Sequence, residues 1–214
     1  MAKRKYPNAY PSVTQVLDGL RKIGLEHWFK VNTPQFIEAA SKKGKEIGTQ
    51  THQAIQDFIE GKDVKVETDY AVEVSFALKS FQLFRKEHPE ITLQNAECML
   101  THEEYKYNGT LDVVAKIGDI SVIGDWKSQE AKLNDKPKVY DEYKAQLAAY
   151  IKAYNYVNKT NIDKGFIVVL AKDKVAFEFY LMETAEVEAE FNEIFLPALR
   201  ISNYRRKNIL NKEI

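Results

Sequence analysis

DVVAKIGDISVIGDWK, residues 112–127, reads as two β-strands joined by a tight turn. Gly118-Asp119 is a two-residue hairpin signal between Ile117 and Ile120. Pairing that continues outward from those isoleucines sets Asp112 directly opposite Asp125. Strand side chains alternate, so Lys127 shares the face of the two aspartates, while Val113, Ala115, Ile117, Ile120, Val122 and Trp126 turn the other way into a core. Two carboxylates and an ammonium thus converge on one polar face. Like charges across a strand pair destabilise it, so the pairing calls for a cation, either Lys127 or a metal ion. Magnesium and manganese take oxygen ligands, commonly one or two protein carboxylates, with water and phosphate completing the shell. A salt bridge on a solvent-facing strand accounts for the hairpin equally well, and the hairpin alone does not separate the two.

Outward from the hairpin, the period of the apolar residues changes twice. Residues 12–87 are helical in pattern: Val13, Val16, Leu17 and Leu20 before Gly24, then an amphipathic run from Glu46 to Glu60 ending at Gly61. A third helix is expected from Tyr70 to Lys86, with Val72, Phe76, Leu83 and Phe84 as its buried stripe beside Ala77 and Phe81, stopped by His88-Pro89. Alternation then predicts a strand over Ile91–His102 ahead of the hairpin, and the turn-rich span Ser128–Pro137 ends the sheet locally. A helix over Val139–Tyr156, a second hairpin with strands 165–170 and 175–181 turning at Lys172-Asp173, and a last helix over Thr184–Ile201 complete the order. Helices, three strands, helix, two strands and helix make an α/β chain with a central mixed β-sheet flanked by helices. One domain of 214 residues is expected, with a helical N-terminal region over 1–88, a sheet core over 89–182 and a C-terminal helix over 183–214.

Composition narrows the function classes. With 44% hydrophobic residues the chain can bury a core, and 31 basic against 31 acidic residues leave no global field to draw in a polyanion. Any nucleic acid must be met by local patches: Lys3-Arg4-Lys5, Lys42-Lys43 with Lys45, the lysines at 132, 136 and 138, or Arg205-Arg206-Lys207, each more often a solvated run when taken alone. Cys98 is the only cysteine, so no internal disulfide forms and no cysteine-ligated zinc or iron-sulfur site fits within one chain. The start MAKRKY continues with Pro7 and Asn8 rather than an apolar run, so neither a secretory signal nor a transit peptide is expected, and no stretch is apolar for long enough to span a membrane. A cytoplasmic setting follows as the expectation.

Other residues favour the metal alternative. Gln146 and Tyr150 lie four apart on the helix after the hairpin and share a face from which both could reach a phosphate, whereas Tyr143, Leu147 and Tyr154 beside them read as a core stripe. His52 has Gly48, Ile55 and Ile59 on adjoining turns, which by itself suits a partly buried structural histidine.

Four ordered motifs give the chain a resemblance to the RecB-like branch of the PD-(D/E)xK nuclease superfamily. They are Gly48-Thr49-Gln50-Thr51-His52 on a helix, Gly109-Thr110-Leu111-Asp112 on a strand, Asp125-Trp126-Lys127 on the next, and Gln146-Leu147-Ala148-Ala149-Tyr150 on the helix that follows. Pro11-Ser12-Val13-Thr14 and the later GFIVVLAKD resemble the group of mitochondrial genome maintenance exonucleases and their phage and bacterial relatives; the lack of a transit segment favours a protein of a bacterium or phage-infected cell. Leu111 stands where the superfamily name has proline, although GxxD is usual in this branch.

The resemblance implies a restriction-endonuclease-like core. It also implies Mg2+ or Mn2+ held by His52, Asp112, Asp125 and the Trp126 backbone carbonyl, with Lys127 as the catalytic lysine and Gln146 and Tyr150 positioning the phosphodiester. Glu97 could match an acidic residue seen upstream in some members. The expected activity is metal-dependent exonucleolytic hydrolysis of DNA, on single strands or at DNA ends, with lysine patches and aromatics such as Trp28 and Phe29 gripping the strand and the helical first third forming an arch. Two alternatives stand beside it: an endonuclease acting on duplex or branched DNA, and a non-catalytic DNA-binding module that keeps a nuclease fold.

Overall fold

The computed structural model describes residue 6 and residues 9–20, 23–131 and 135–210. Lys3-Arg4-Lys5, Pro7, Asn8 and Lys132 lie outside the described residues. Ser12 caps α1 (Val13–Leu17): its hydroxyl accepts from the Gln15 amide while the Gln15 side chain accepts from the Ser12 N–H. That reciprocal pair satisfies backbone donors a helix start otherwise leaves without partners. α2 (Ile23–Val31) runs through Gly24, which therefore does not end a helix. Thr33 caps α3 (Pro34–Ile59), and Pro34 occupies the first turn, where its missing N–H costs no helical bond. The helix carrying His52 thus begins well before Glu46, and its 26 residues reach about 39 Å. α4 (Ala71–Glu87) buries Val74, Ala77, Ser80, Phe81 and Phe84, the three- and four-residue spacing of one helical face. Val72 falls off that face and is 67% exposed, so the expected stripe is corrected by two residues at its start.

The sheet is ordered β1 (Ile91–His102), β2 (Tyr107–Ile117), β3 (Ile120–Gln129), β4 (Gly165–Ala171) and β5 (Phe177–Met182). All neighbours are antiparallel except β3 and β4, whose parallel pairing needs a crossover, supplied by α5 (Asp141–Asn158). The first hairpin has the expected register, with Ile117 opposite Ile120 and Val113 opposite Gly124, and Gly118 adopts a φ of +59° that suits glycine in this turn. The second hairpin turns later than Lys172-Asp173: Leu170 pairs with Phe177, the Ala171 amide donates to the Ala176 carbonyl, and residues 172–176 form the loop. Ser80 of α4 steadies the longer loop, since its hydroxyl accepts from the Ala176 amide and its single proton lies within reach of the carbonyls of Ala171 and Lys174 as well as that of Phe76 in its own helix. The expected last helix is interrupted. α6 (Thr184–Ala189) passes through a π-helical stretch, Glu190–Phe195, into α7 (Leu196–Leu210).

Helices cover both faces. α3 and α4 pack on the side of Val113, Ala115, Val122 and Trp126, while α1, α5 and the C-terminal helices pack on the side of Val114 and Ile123. Ile120 was expected in the core but is 52% exposed, because the hairpin tip projects past the helices. The face bearing the aspartates is also not polar throughout: Val114 and Ile123 lie buried on it, and only its end carries charge. This is a mixed sheet between helices, with a helical N-terminal region. No helix among the described residues is long and apolar enough to cross a membrane.

Candidate active site

The ladder between β2 and β3 ends at the Val113–Gly124 pair. One position further the strands part, and the Trp126 amide donates to Asp112 Oδ2 at 2.8 Å instead of to a backbone carbonyl. A side chain has replaced a rung of the sheet, and the carboxylates of Asp112 and Asp125 sit at the opening. On the other edge Asp125 pairs with Ile167 of β4, which holds β3 in place while β2 diverges. The Trp126 indole points away into the aromatic core with Phe81, Phe84 and Phe166.

Two pairs of groups meet here. His52, brought in by α3, sets Nδ1 3.2 Å from Asp112 Oδ1. Lys127 lays its ammonium against Asp125 Oδ2. Asp125 is 1% exposed, and neither of its oxygens has a hydrogen bond of good geometry. Buried carboxylates are ordinarily hydrogen-bonded, so Asp125 is the outlier of the site.

Burial and charge pull these groups apart in acidity. Burial pushes Asp125 up to about 7 from its ordinary 3.8, with Lys127 opposing and the negative charge of Asp112 adding to the rise. Asp112 is held below its ordinary value: burial works against its charge, but His52, Lys127 and the Trp126 amide more than offset it. His52 is raised, since burial lowers it less than Asp112 raises it. The outcome is a histidine and a carboxylate that each favour the other's charged form, beside a carboxyl poised near neutrality.

α5 closes the site from above. Gln146 Nε2 donates to Tyr150 Oη at 2.7 Å, which leaves the phenolic proton for another acceptor. Burial and then the charges of Asp125 and Asp112 push Tyr150 well above its ordinary value, so it stays a neutral donor. Gly109 explains how the ring fits: a Cβ there would stand 2.9 Å from the Tyr150 ring and 3.4 Å from Val13 Cγ2. Gly109→Ala should therefore displace Tyr150 at a cost of about 1–3 kcal/mol. Thermal denaturation together with cleavage rates checks this, and an unchanged melting point would contradict the packing.

Of three further features two were not legible beforehand; the other, Glu97, is the acidic residue that the resemblance brought forward. Tyr143 reads as core in the sequence, but its ring lies 5.4 Å from the Lys127 ammonium, and its phenol is raised first by burial and then by Glu142, Tyr140 and Asp125. Glu97 sits across from Asp112 in the β1–β2 register, next to an irregularity between Leu93 and Ala96 and with a left-handed φ of +46°; it lines a small cavity with His52, Gln56 and Asp112. Left-handed backbone at a glutamate within a strand is strained. Tyr6 Oη bonds Thr110 Oγ1 at 2.7 Å, which brings the N-terminal segment alongside β2.

Among the described residues, no three His, Cys, Asp or Glu side chains are gathered closely enough to hold a metal ion as they stand. The donor set still fits a hard divalent cation: two carboxylates and an imidazole, one of the carboxylates being buried with only an ammonium against it among the described residues. A cation there would restore charge to Asp125, which burial otherwise drives toward the neutral form.

Comparison with known proteins gives one relative of note. Mitochondrial genome maintenance exonuclease 1 of Xenopus tropicalis is 27% identical over 215 aligned positions, covering 92% of this chain; the chain spans 58% of that protein's length. No family model matches. Among solved structures, an alkaline exonuclease from Laribacter hongkongensis is 12% identical with a TM-score of 0.42, over 96% of this chain and 95% of that one. A phage-related exonuclease from Haemophilus somnus 129PT is 11% identical with a TM-score of 0.44, over 96% and 97%.

Proposed function

We infer that this chain is a RecB-like member of the PD-(D/E)xK nucleases, and from that premise we propose a metal-dependent deoxyribonuclease that shortens single-stranded DNA or DNA from its ends. The observation that carries the reading is Asp125, a fully buried carboxylate whose close contact is the Lys127 ammonium and which lies beside a second carboxylate. Burying that acid with a single ammonium for company is costly, and a bound cation would offset the cost. The sequence relative is by its name an exonuclease, which supports the same reaction class.

Asp112, Asp125 and His52, with the Trp126 carbonyl, would hold Mg2+ or Mn2+, and the imidazole makes manganese at least as suitable as magnesium. When bound, such an ion supplies Lewis-acid stabilisation of the phosphoryl oxygens and a source of hydroxide at neutral pH. Lys127, released from Asp125, would donate to the charge that develops on the phosphate and orient the attacking water. Gln146 holds the Tyr150 phenol, whose free proton would bind a non-bridging phosphate oxygen. In this scheme Asp112 has a second task, since the Trp126 amide and His52 fix its carboxylate before substrate arrives.

A single-stranded substrate is supported by α3. Lys45 lies seven residues before His52 and so on the same side of the helix, about 10 Å away. It lines a groove of about 610 Å³ with Pro34, Ile37, Glu38, Ser41 and Lys42, two lysines against one glutamate. Near its start Phe29 and Phe36 are half exposed and pack on Trp28 at 5.3 and 6.3 Å, a set of ring faces and ammonium groups suited to bases and phosphates. The test is digestion of an end-labelled linear strand beside a covalently closed single-stranded circle, each with Mg2+, Mn2+ or EDTA. The linear strand should shorten progressively with either ion, and the circle should survive. Cleavage in EDTA would overturn the metal assignment, and cutting of the circle would overturn the requirement for an end.

A further inference from the structure

We propose that Tyr143 is a positioning residue that keeps the Lys127 ammonium in the cleft once Asp125 no longer binds it; the inference rests on the role given to Lys127 above. Two groups on different elements hold the Lys127 ammonium. One is the Asp125 carboxylate on its own strand, and the other is the face of the Tyr143 ring on the first turn of α5, 5.4 Å from the ammonium to the ring centroid. The lysine side chain is only 16% exposed, so part of the water that would otherwise solvate its charge is excluded.

These neighbours differ in what they leave free. A carboxylate takes up N–H donors and competes directly with phosphate for them. It is also one of the groups assigned to metal binding, and a bound cation would repel the ammonium. An aromatic face attracts a cation through its quadrupole without occupying a particular N–H, within about 6 Å of the centroid. An ammonium resting on Tyr143 therefore keeps its donors for phosphate oxygen and water. Without the ring, a lysine displaced from Asp125 would swing into solvent and lose much of its effective concentration at the phosphate.

The ring is itself fixed. Its backbone amide donates to the Tyr140 carbonyl at 3.0 Å, the Tyr140 ring packs edge-on at 5.4 Å, and Tyr143 packs against the buried cluster beneath α5. The phenolic oxygen is not needed for this role, and that sets the test.

Tyr143→Phe and Tyr143→Trp keep an aromatic face, whereas Tyr143→Leu and Tyr143→Met fill space without one. The aliphatic variants should lose about ten-fold in kcat with KM little changed, and the aromatic variants should stay near the parent. Melting temperatures identify any variant whose loss is a folding defect. A second readout needs neither metal nor DNA: with Asp125→Asn added to remove the competing carboxylate, acylation of Lys127 by an amine-reactive reagent, followed by mass spectrometry, should be faster in the aliphatic variants than in Tyr143→Phe. Aliphatic variants with parental kcat and parental Lys127 reactivity would overturn the proposal, as would Tyr143→Phe being as impaired as Tyr143→Leu. Lys127→Ala distinguishes the two levels. An active Lys127→Ala removes the underlying role of Lys127, while an inactive Lys127→Ala beside a fully active Tyr143→Leu removes only the inference about Tyr143.

Discussion

Lys127→Ala should still bind DNA but cut it about 100- to 1,000-fold more slowly, the loss seen when a preorganised donor to developing charge is removed. In the resting protein the ammonium is engaged with Asp125 and Tyr143, so it contributes little to holding substrate. Its contribution comes when charge builds on the phosphate. Affinity for an end-labelled single strand, measured in EDTA or with Ca2+, should fall by less than about three-fold, since one lysine among several phosphate contacts carries only its own share. Single-turnover cleavage with Mg2+ or Mn2+ should carry the rest of the loss. Equal losses of binding and cleavage would mean that Lys127 is a substrate anchor and not a transition-state group.

Asp125→Asn should be inactive, with cleavage down at least about 1,000-fold, yet more stable than the parent at alkaline pH when metal is absent. The sign follows from burial. The folded-state value of Asp125 is raised to about 7, so folding favours the protonated acid. Its contribution to stability is fully present below the unfolded value near 3.8 and is lost as pH rises toward and through about 7. The gap between those values corresponds to roughly 4 kcal/mol as a ceiling, equivalent to a melting shift of up to about 10 °C in a chain of this size. His52, also raised, slopes in the same direction and is retained in the variant, while Asp112 is lowered and adds no slope above pH 5. The two melting curves should therefore coincide near pH 4 and separate progressively toward pH 8, with the variant higher. Mn2+ should raise the parent and leave the variant nearly unmoved. A parent melting point that stays flat or rises from pH 5 to 8 relative to Asp125→Asn would show that Asp125 is not charged at a cost.

Much of this was legible in the chain because it is encoded by short-range rules. The Gly118-Asp119 turn and the alternation on either side of it fix a register, and the register places Asp112, Asp125 and Lys127 together. Helix α4 and strand β1 ended where proline and the change of period required. The early start of α3 was written in Thr33-Pro34, a cap and first-turn signal that a search for amphipathic spacing alone overlooks. Other features depend on contacts between distant segments. The five-residue loop after β4 is steadied by Ser80, on another element, whose hydroxyl accepts from the Ala176 amide and lies within reach of the carbonyls of Ala171 and Lys174. Tyr143 looks like any core tyrosine until the crossover sets its ring over Lys127. That Asp125 is buried with the Lys127 ammonium as its close partner can be known only when everything around it is in place.

The tip of the first hairpin lies about 20 Å from the carboxylates, counting six residues at strand rise. Surface turns are usually where homologous chains gain and lose residues without harm. A slip of β3 by one place against β2 would turn Asp125 and Lys127 to the opposite face and take Trp126 out of the core. The five ladder pairs between the tip and the centre, with β4 on the far edge of β3, guard against that slip, so a residue inserted at the tip should be taken up as a longer loop while the centre keeps its register.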